Sequence, residues 1–139
     1  MKLKFIFLGK KNVNNLDLMI TNYVNRLQQY VKSEVLFLSE KNTIKLESKI
    51  MNHIHARDYF IVLDDKGKSF NTIQYANFIK TKMALHSSVV FLVGDSYGVI
   101  DSIMQQANSV ISISKMTFPH MIARLILIEQ TYRAMSILN

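Results

Sequence analysis

SISKMTFPHMIARLILIEQTYRAMS, running from Ser112 to Ser136, passes from the end of an apolar strand through a short loop into a helix with almost no polar face. Pro119 suits the first helical position, where a missing N–H costs nothing. Phe118, just before it, is driven to an extended conformation by the proline ring, so the joint between loop and helix is stiff. Met121, Ile122, Leu125, Ile126, Leu127, Ile128, Met135, Ile137 and Leu138 leave little surface for water. A helix apolar nearly all round must be covered on several sides, by its own core or by a second copy. His120, Arg124, Glu129, Tyr132 and Arg133 are its polar exceptions.

The residues before this stretch alternate between two periodicities. Leu3–Leu8 is apolar apart from Lys4 and ends at Gly9-Lys10-Lys11, the pattern of a first strand. Asn14 and Asn15 can cap a helix, in which Leu16, Met19, Ile20, Tyr23, Val24, Leu27, Tyr30 and Val31 recur at helical spacing. Val35–Leu38 reads as a second strand, and Leu46, Ile50 and Ile54 predict a helix over Thr43–His55. His53 and His55 lie two apart, on different faces of that helix, so no metal pair is expected.

Tyr59–Leu63 is a fully apolar strand, followed by Asp64-Asp65-Lys66-Gly67-Lys68 as a loop. Asn71 and Gln74 stand as a cap and its return partner, opening a helix with Ile73, Ala76, Ile79 and Met83 inward. Val89–Val93 is β-branched and continuously apolar, as in a strand buried on both faces. Gly94-Asp95-Ser96-Tyr97-Gly98 then turns into a helix carrying Ile100, Ile103, Met104 and Ala107, and Val110–Ile113 is the last strand. Strands alternating with helices predict an α/β fold with a mainly parallel sheet flanked by helices.

At 139 residues, with one proline, four glycines and no repeat or linker, the chain reads as one domain, 1–139. It has no cysteine, which excludes disulfides and thiolate metal sites and fits a cytoplasmic protein. The opening MKLKFIFLGKK is too short in its apolar run for a signal peptide. Leu125–Ile128 is cut off by Glu129 and Arg133, far short of the ~20 apolar residues a membrane span needs. Seventeen Lys and Arg against ten Asp and Glu give a formal charge of +7, which favours a polyanionic partner such as RNA.

SKMTFPH followed by IEQ and YRA resembles the RlmH family of SPOUT-class methyltransferases, densely from Tyr59 onward. That resemblance implies a C-terminal trefoil knot, an exception to the unknotted-connection rule. It also implies a homodimer built on the closing helix, with S-adenosyl-L-methionine as cofactor. The substrate it implies is a pseudouridine of large-subunit ribosomal RNA, free or in the assembled ribosome. Carried over by position, the cofactor residues are Leu63, Gly94 and the run Ile113, Ser114, Lys115, Met116, Thr117 and Phe118. They follow the last three strands, on the side where open parallel sheets bind ligands. Leu63, Ile113 and Met116 can border an adenine, and Gly94 offers close backbone approach.

The chain departs from that family in two places. Gly94-Asp95 stands where the family has a Gly-Gly pair, putting a carboxylate near the cofactor turn. The family also continues past its last helix into a short tail with Tyr and His near the active site, whereas this sequence stops at Asn139. Both departures lead to the expectation of cofactor binding with poor methyl transfer, and to the alternative of a non-catalytic RNA- or ribosome-binding dimer.

His120 and Arg124 are the candidate catalytic side chains, with no base singled out by the pattern. Lys10, Lys11, Lys66, Lys68, Lys115, Arg124 and Arg133 are candidate phosphate contacts; Arg124 and Arg133 stand out because they interrupt a buried helix. Asp64, Ser96 and Lys115 also sit like the site of a phospho-receiver domain. That fold needs an acidic pair after the first strand, where this chain has Gly9-Lys10-Lys11, and the reading fails.

Overall fold

The computed structural model describes residues 1–11 and 14–139. Its strands are β1 (Lys2–Leu8), β2 (Lys32–Leu38), β3 (Asp58–Ser69), β4 (Ser88–Val93) and β5 (Ser109–Ser112). Between and after them run α1 (Asn15–Leu27), α2 (Thr43–Met51), α3 (Thr72–Leu85), α4 (Asp101–Met104) and α5 (His120–Leu138). The strands form one sheet in the order β2-β1-β4-β3-β5, and every pairing is parallel. The expected α/β class with a parallel sheet is what the chain adopts.

The central strands are apolar without a break because both faces of the sheet are covered. Leu3, Phe5 and Phe7 of β1 and Val89, Phe91 and Val93 of β4 point into one core, shared with buried residues of α1, α3 and α5. Ile6, Leu8, Val90 and Leu92 point the other way, onto Ile50 of α2 and Ile103 of α4. The phenyl rings of Phe5 and Phe91 stack across the β1–β4 pair at 4.9 Å between centroids. Each buried side chain of this size contributes roughly 1.5–3 kcal/mol, so the two-sided core fixes the register of β1, β3 and β4.

Helix starts follow the sequence closely. The Asn14 side chain accepts from the Asp17 N–H at 3.0 Å. Asn71 and Gln74 close the full capping box, at 2.8 and 2.9 Å. Inward faces are less well anticipated. Met19 and Ile73 are 44% and 57% exposed, while Asp17 and Tyr75 are buried in their stead. The helix expected over Thr43–His55 ends at Met51, and Pro119 is the N-cap of α5 rather than its first helical residue.

The segment after Leu63 is a larger correction. Asp64–Lys68 is not a free loop: Leu63 and Lys68 both pair with Ile111, and Ser69 pairs with Ser112. The four residues between bulge out of β3, and the chain then rejoins β5. Gly67 makes this possible, since a Cβ there would lie 2.7 Å from the backbone N and C of Ile111. Asn108 secures the start of β5, exchanging bonds with the Phe60 backbone at 2.7 and 2.8 Å.

α5 lies across α1 and α3 and buries Arg124, Leu127, Ile128, Thr131, Ala134 and Met135, a stripe at helical spacing. Tyr75 and Thr131 share a buried hydrogen bond of 2.8 Å between α3 and α5. Burial also pushes the Tyr75 phenol well above its ordinary value, so it stays a neutral partner. Met121, Ile122, Leu125 and Ile126 remain half-buried on the other faces of the helix.

Candidate cofactor and RNA site

Because β4, β3 and β5 are adjacent and parallel, their carboxyl ends open on one edge of the sheet. Segments about thirty and twenty residues apart in sequence therefore meet there. They enclose a cavity of about 720 Å³, within the size range of small-molecule sites. Leu63, Gly94, Ile113, Ser114, Met116, Thr117 and Phe118 all line it. Of the residues carried over by position, Lys115 is the one that does not; it is exposed to water beside the lining loop. His120 reaches the wall from the first turn of α5 and is half-buried.

Short polar contacts hold the loops in shape. The Asp95 carboxylate accepts from the Tyr97 N–H at 2.9 Å, and the Gly98 N–H donates to the Asp95 carbonyl at 2.9 Å. The Ser114 hydroxyl accepts from the Met116 N–H at 3.0 Å. Thr117 donates to the Asp65 carboxylate at 3.2 Å, tying the loop after β5 to the bulge of β3. Asp95 itself has an ordinary negative φ, since among the described residues only Gly9 and Gly98 lie in the left-handed region. The exchange of glycine for aspartate thus carries no backbone strain here.

Gly94 is required by the turn itself, before any ligand is considered. A Cβ there would stand 2.6 Å from the Gly98 carbonyl carbon and 2.7 Å from its oxygen. The glycine lets the loop fold back on itself, and that fold is the cavity wall.

The lining has a sign. Asp64, Asp65 and Asp95 are on the lining, with no lysine or arginine there among the described residues, although the buried Arg124 behind the wall offsets part of the Asp95 charge. Lys66 and Lys115 sit beside the lining residues but are exposed. The result is an anionic interior with cations at its rim, suited to a positively charged ligand inside and a polyanion outside. Asp64 and Asp65 join the lining without being among the residues carried over by position; Asp64 enters the sequence reading as a site residue only in the rejected phospho-receiver layout. The sequence reading places the pair in the loop after Leu63, and the bulge before Lys68 brings it to the cavity.

Arg124 is elsewhere. It is 0% exposed and absent from the lining. Its guanidinium donates to the Leu8 carbonyl at 2.7 Å and lies over the rings of Phe7 and Phe37, at 5.2 and 5.5 Å. Desolvation lowers its pKa, against the opposing fields of Asp17 and Asp95. An arginine so enclosed cannot meet an RNA phosphate, and that expectation is corrected. Arg133 is exposed but paired with Glu129 one turn back on α5.

The whole chain, residues 1–139, matches the family model described as a predicted SPOUT methyltransferase, and the chain belongs to that family. Within it, the resemblance runs to proteins named ribosomal RNA large subunit methyltransferase H. The one from Parabacteroides distasonis is 37% identical, across all of this chain and 96% of its own length. That from Cytophaga hutchinsonii is 34% identical with the same coverage. Among solved structures, the SpoU methyltransferase AviRb from Streptomyces viridochromogenes, in complex with AdoMet, superposes with a TM-score of 0.52. It shares 8% identity, and the match covers 94% of this chain and 56% of that one, a likeness of fold.

Proposed function

We propose that this protein transfers a methyl group from S-adenosyl-L-methionine to large-subunit ribosomal RNA, with a pseudouridine ring nitrogen as the acceptor. The observation that carries the reading is the anionic cavity at the strand ends of a chain in this family. When bound, the cofactor supplies an electrophilic methyl on a cationic sulfur. Asp64 and Asp65, with Asp95 partly offset by Arg124, favour that charge together with the cofactor's ammonium group. Leu63, Ile113, Met116 and Phe118 provide apolar edges for a flat base. His120 on the wall is the imidazole available to accept or donate a proton. Most of the acceleration would come from holding acceptor and methyl in line, worth roughly 7–11 kcal/mol over encounter in solution.

The non-catalytic alternative is not favoured. The relatives are named as methyltransferases across this chain's full length, and Asp95 is accommodated without strain. Isothermal titration with S-adenosylmethionine should give heat, and the labelled methyl should pass to ribosomes lacking the modification. Absence of heat would end the reading, whereas heat without transfer would restore the alternative.

The same reading takes residues 1–139 as one SPOUT domain with a C-terminal trefoil knot, working as a homodimer in the cytoplasm. No helix among the described residues is long and apolar enough to cross a membrane. The apolar surface that α5 leaves half-covered supports the dimer: Ile122 is half-buried, and Ile126 borders an open groove with Phe70, Ile111 and Ile113. Light scattering at micromolar concentration should report twice the chain mass, and Ile122→Asp combined with Ile126→Asp should return it to one. A parent chain that is monomeric would refute this arrangement.

A further inference from the structure

We propose that Tyr97 is the platform on which a nucleobase of the RNA substrate stacks at the mouth of the cavity; this rests on the reading of the chain as an rRNA methyltransferase. Tyr97 is 95% exposed, the most exposed large apolar side chain among the described residues, yet it lines the cofactor cavity. The core does not place it there, and the loop does not leave it loose. Its own N–H is held by the Asp95 carboxylate at 2.9 Å, and Gly98, at φ +79°, closes the turn behind it. A ring presented to water on a braced turn, beside the point of methyl delivery, has the form of a stacking surface.

The chemistry of the ligand follows from the surroundings. RNA bases reach an enzyme's cavity only when unstacked, and they are then received between aromatic and apolar side chains. Met116, 74% exposed, supplies a second apolar contact on the lining of the same cavity. The exposed Lys66 and Lys115 flank the lining loops and can meet the phosphates on either side of such a base.

The test compares steady-state methyl transfer to unmodified ribosomes by the parent, Tyr97→Ala and Tyr97→Phe. Loss of one base–aromatic stack should raise the KM for ribosomes on the order of tenfold in Tyr97→Ala. The KM for S-adenosylmethionine should hold, and Tyr97→Phe should restore the ribosome KM because the ring is what matters. The chain has no tryptophan, so Tyr97→Trp adds a single indole, excitable beyond the tyrosine absorption, that a single-stranded RNA oligonucleotide should quench on stacking. An unchanged ribosome KM in Tyr97→Ala, with an active parent, overturns this inference alone. A cofactor KM that rises instead assigns Tyr97 to the cofactor, and a halved particle mass assigns it to the dimer; either overturns the inference. A parent that transfers no methyl group overturns the underlying reading and the inference with it.

Discussion

Arg124→Met is expected to lower the melting temperature by roughly 10–20 °C, corresponding to about 3–5 kcal/mol. The side chain is 0% exposed and joins the end of β1 to α5 through its 2.7 Å bond to the Leu8 carbonyl. A second, longer bond of 3.4 Å reaches the Lys10 carbonyl. Methionine fills much of the volume but leaves the Leu8 carbonyl without this donor, and a buried acceptor without a partner costs about 1–3 kcal/mol. Asp17, 5% exposed and with one carboxylate oxygen unpartnered, would also lose the positive field beside it. Two aromatic faces, Phe7 and Phe37, lose their cation as well.

Arg124→Lys should fall between parent and Arg124→Met, because an ammonium keeps the charge but not the planar stack. Thermal denaturation followed by circular dichroism reads both variants. A shift within about 3 °C for Arg124→Met would show that the buried guanidinium is dispensable to the fold. The salt dependence of RNA binding by folded Arg124→Lys should match the parent, since the residue reaches no phosphate.

How much of this was legible in the sequence depends on which physical rule placed each residue. The strands were plain because a two-sided core demands continuous apolar runs, as at Val89–Val93. The caps at Asn14 and Asn71 were plain because capping is a local hydrogen bond. The bulge at Asp64–Gly67 was not, since it depends on how closely the β5 backbone passes Gly67, a long-range fact. Arg124 shows the limit most clearly. Its interruption of an apolar helix signalled a special role, but sequence gives no means of telling a surface cation from one sealed against Phe7 and Phe37. The candidate cofactor loops came from family resemblance, whereas the acidic residues on their lining came only from the arrangement in space.

The largest effect on ligand binding is expected at Gly94. Gly94→Val should lower the affinity for S-adenosylmethionine by on the order of 100-fold, about 2.8 kcal/mol, because a wall of the site must move. A Cβ at this position meets the Gly98 carbonyl carbon and oxygen at 2.6 and 2.7 Å. Both are backbone atoms, so no side-chain rotation relieves the overlap, and the loop from Asp95 to Gly98 must move. That loop is cavity wall, and its shift also displaces the turn held by the Asp95 carboxylate. The clash begins with the first carbon, so Gly94→Ala should already produce most of the loss. Were close approach to the ligand the reason for the glycine, alanine would instead be mild and valine severe, which separates the two accounts. Thr117→Ala is the contrast. It removes one exposed bond of 3.2 Å to Asp65, worth about 0.5–1.5 kcal/mol, and should weaken binding by roughly tenfold at most. Titration calorimetry on the parent and the three variants, with melting curves to confirm folding, gives the ranking. Folded Gly94→Val that binds the cofactor like the parent would place the site away from this cavity.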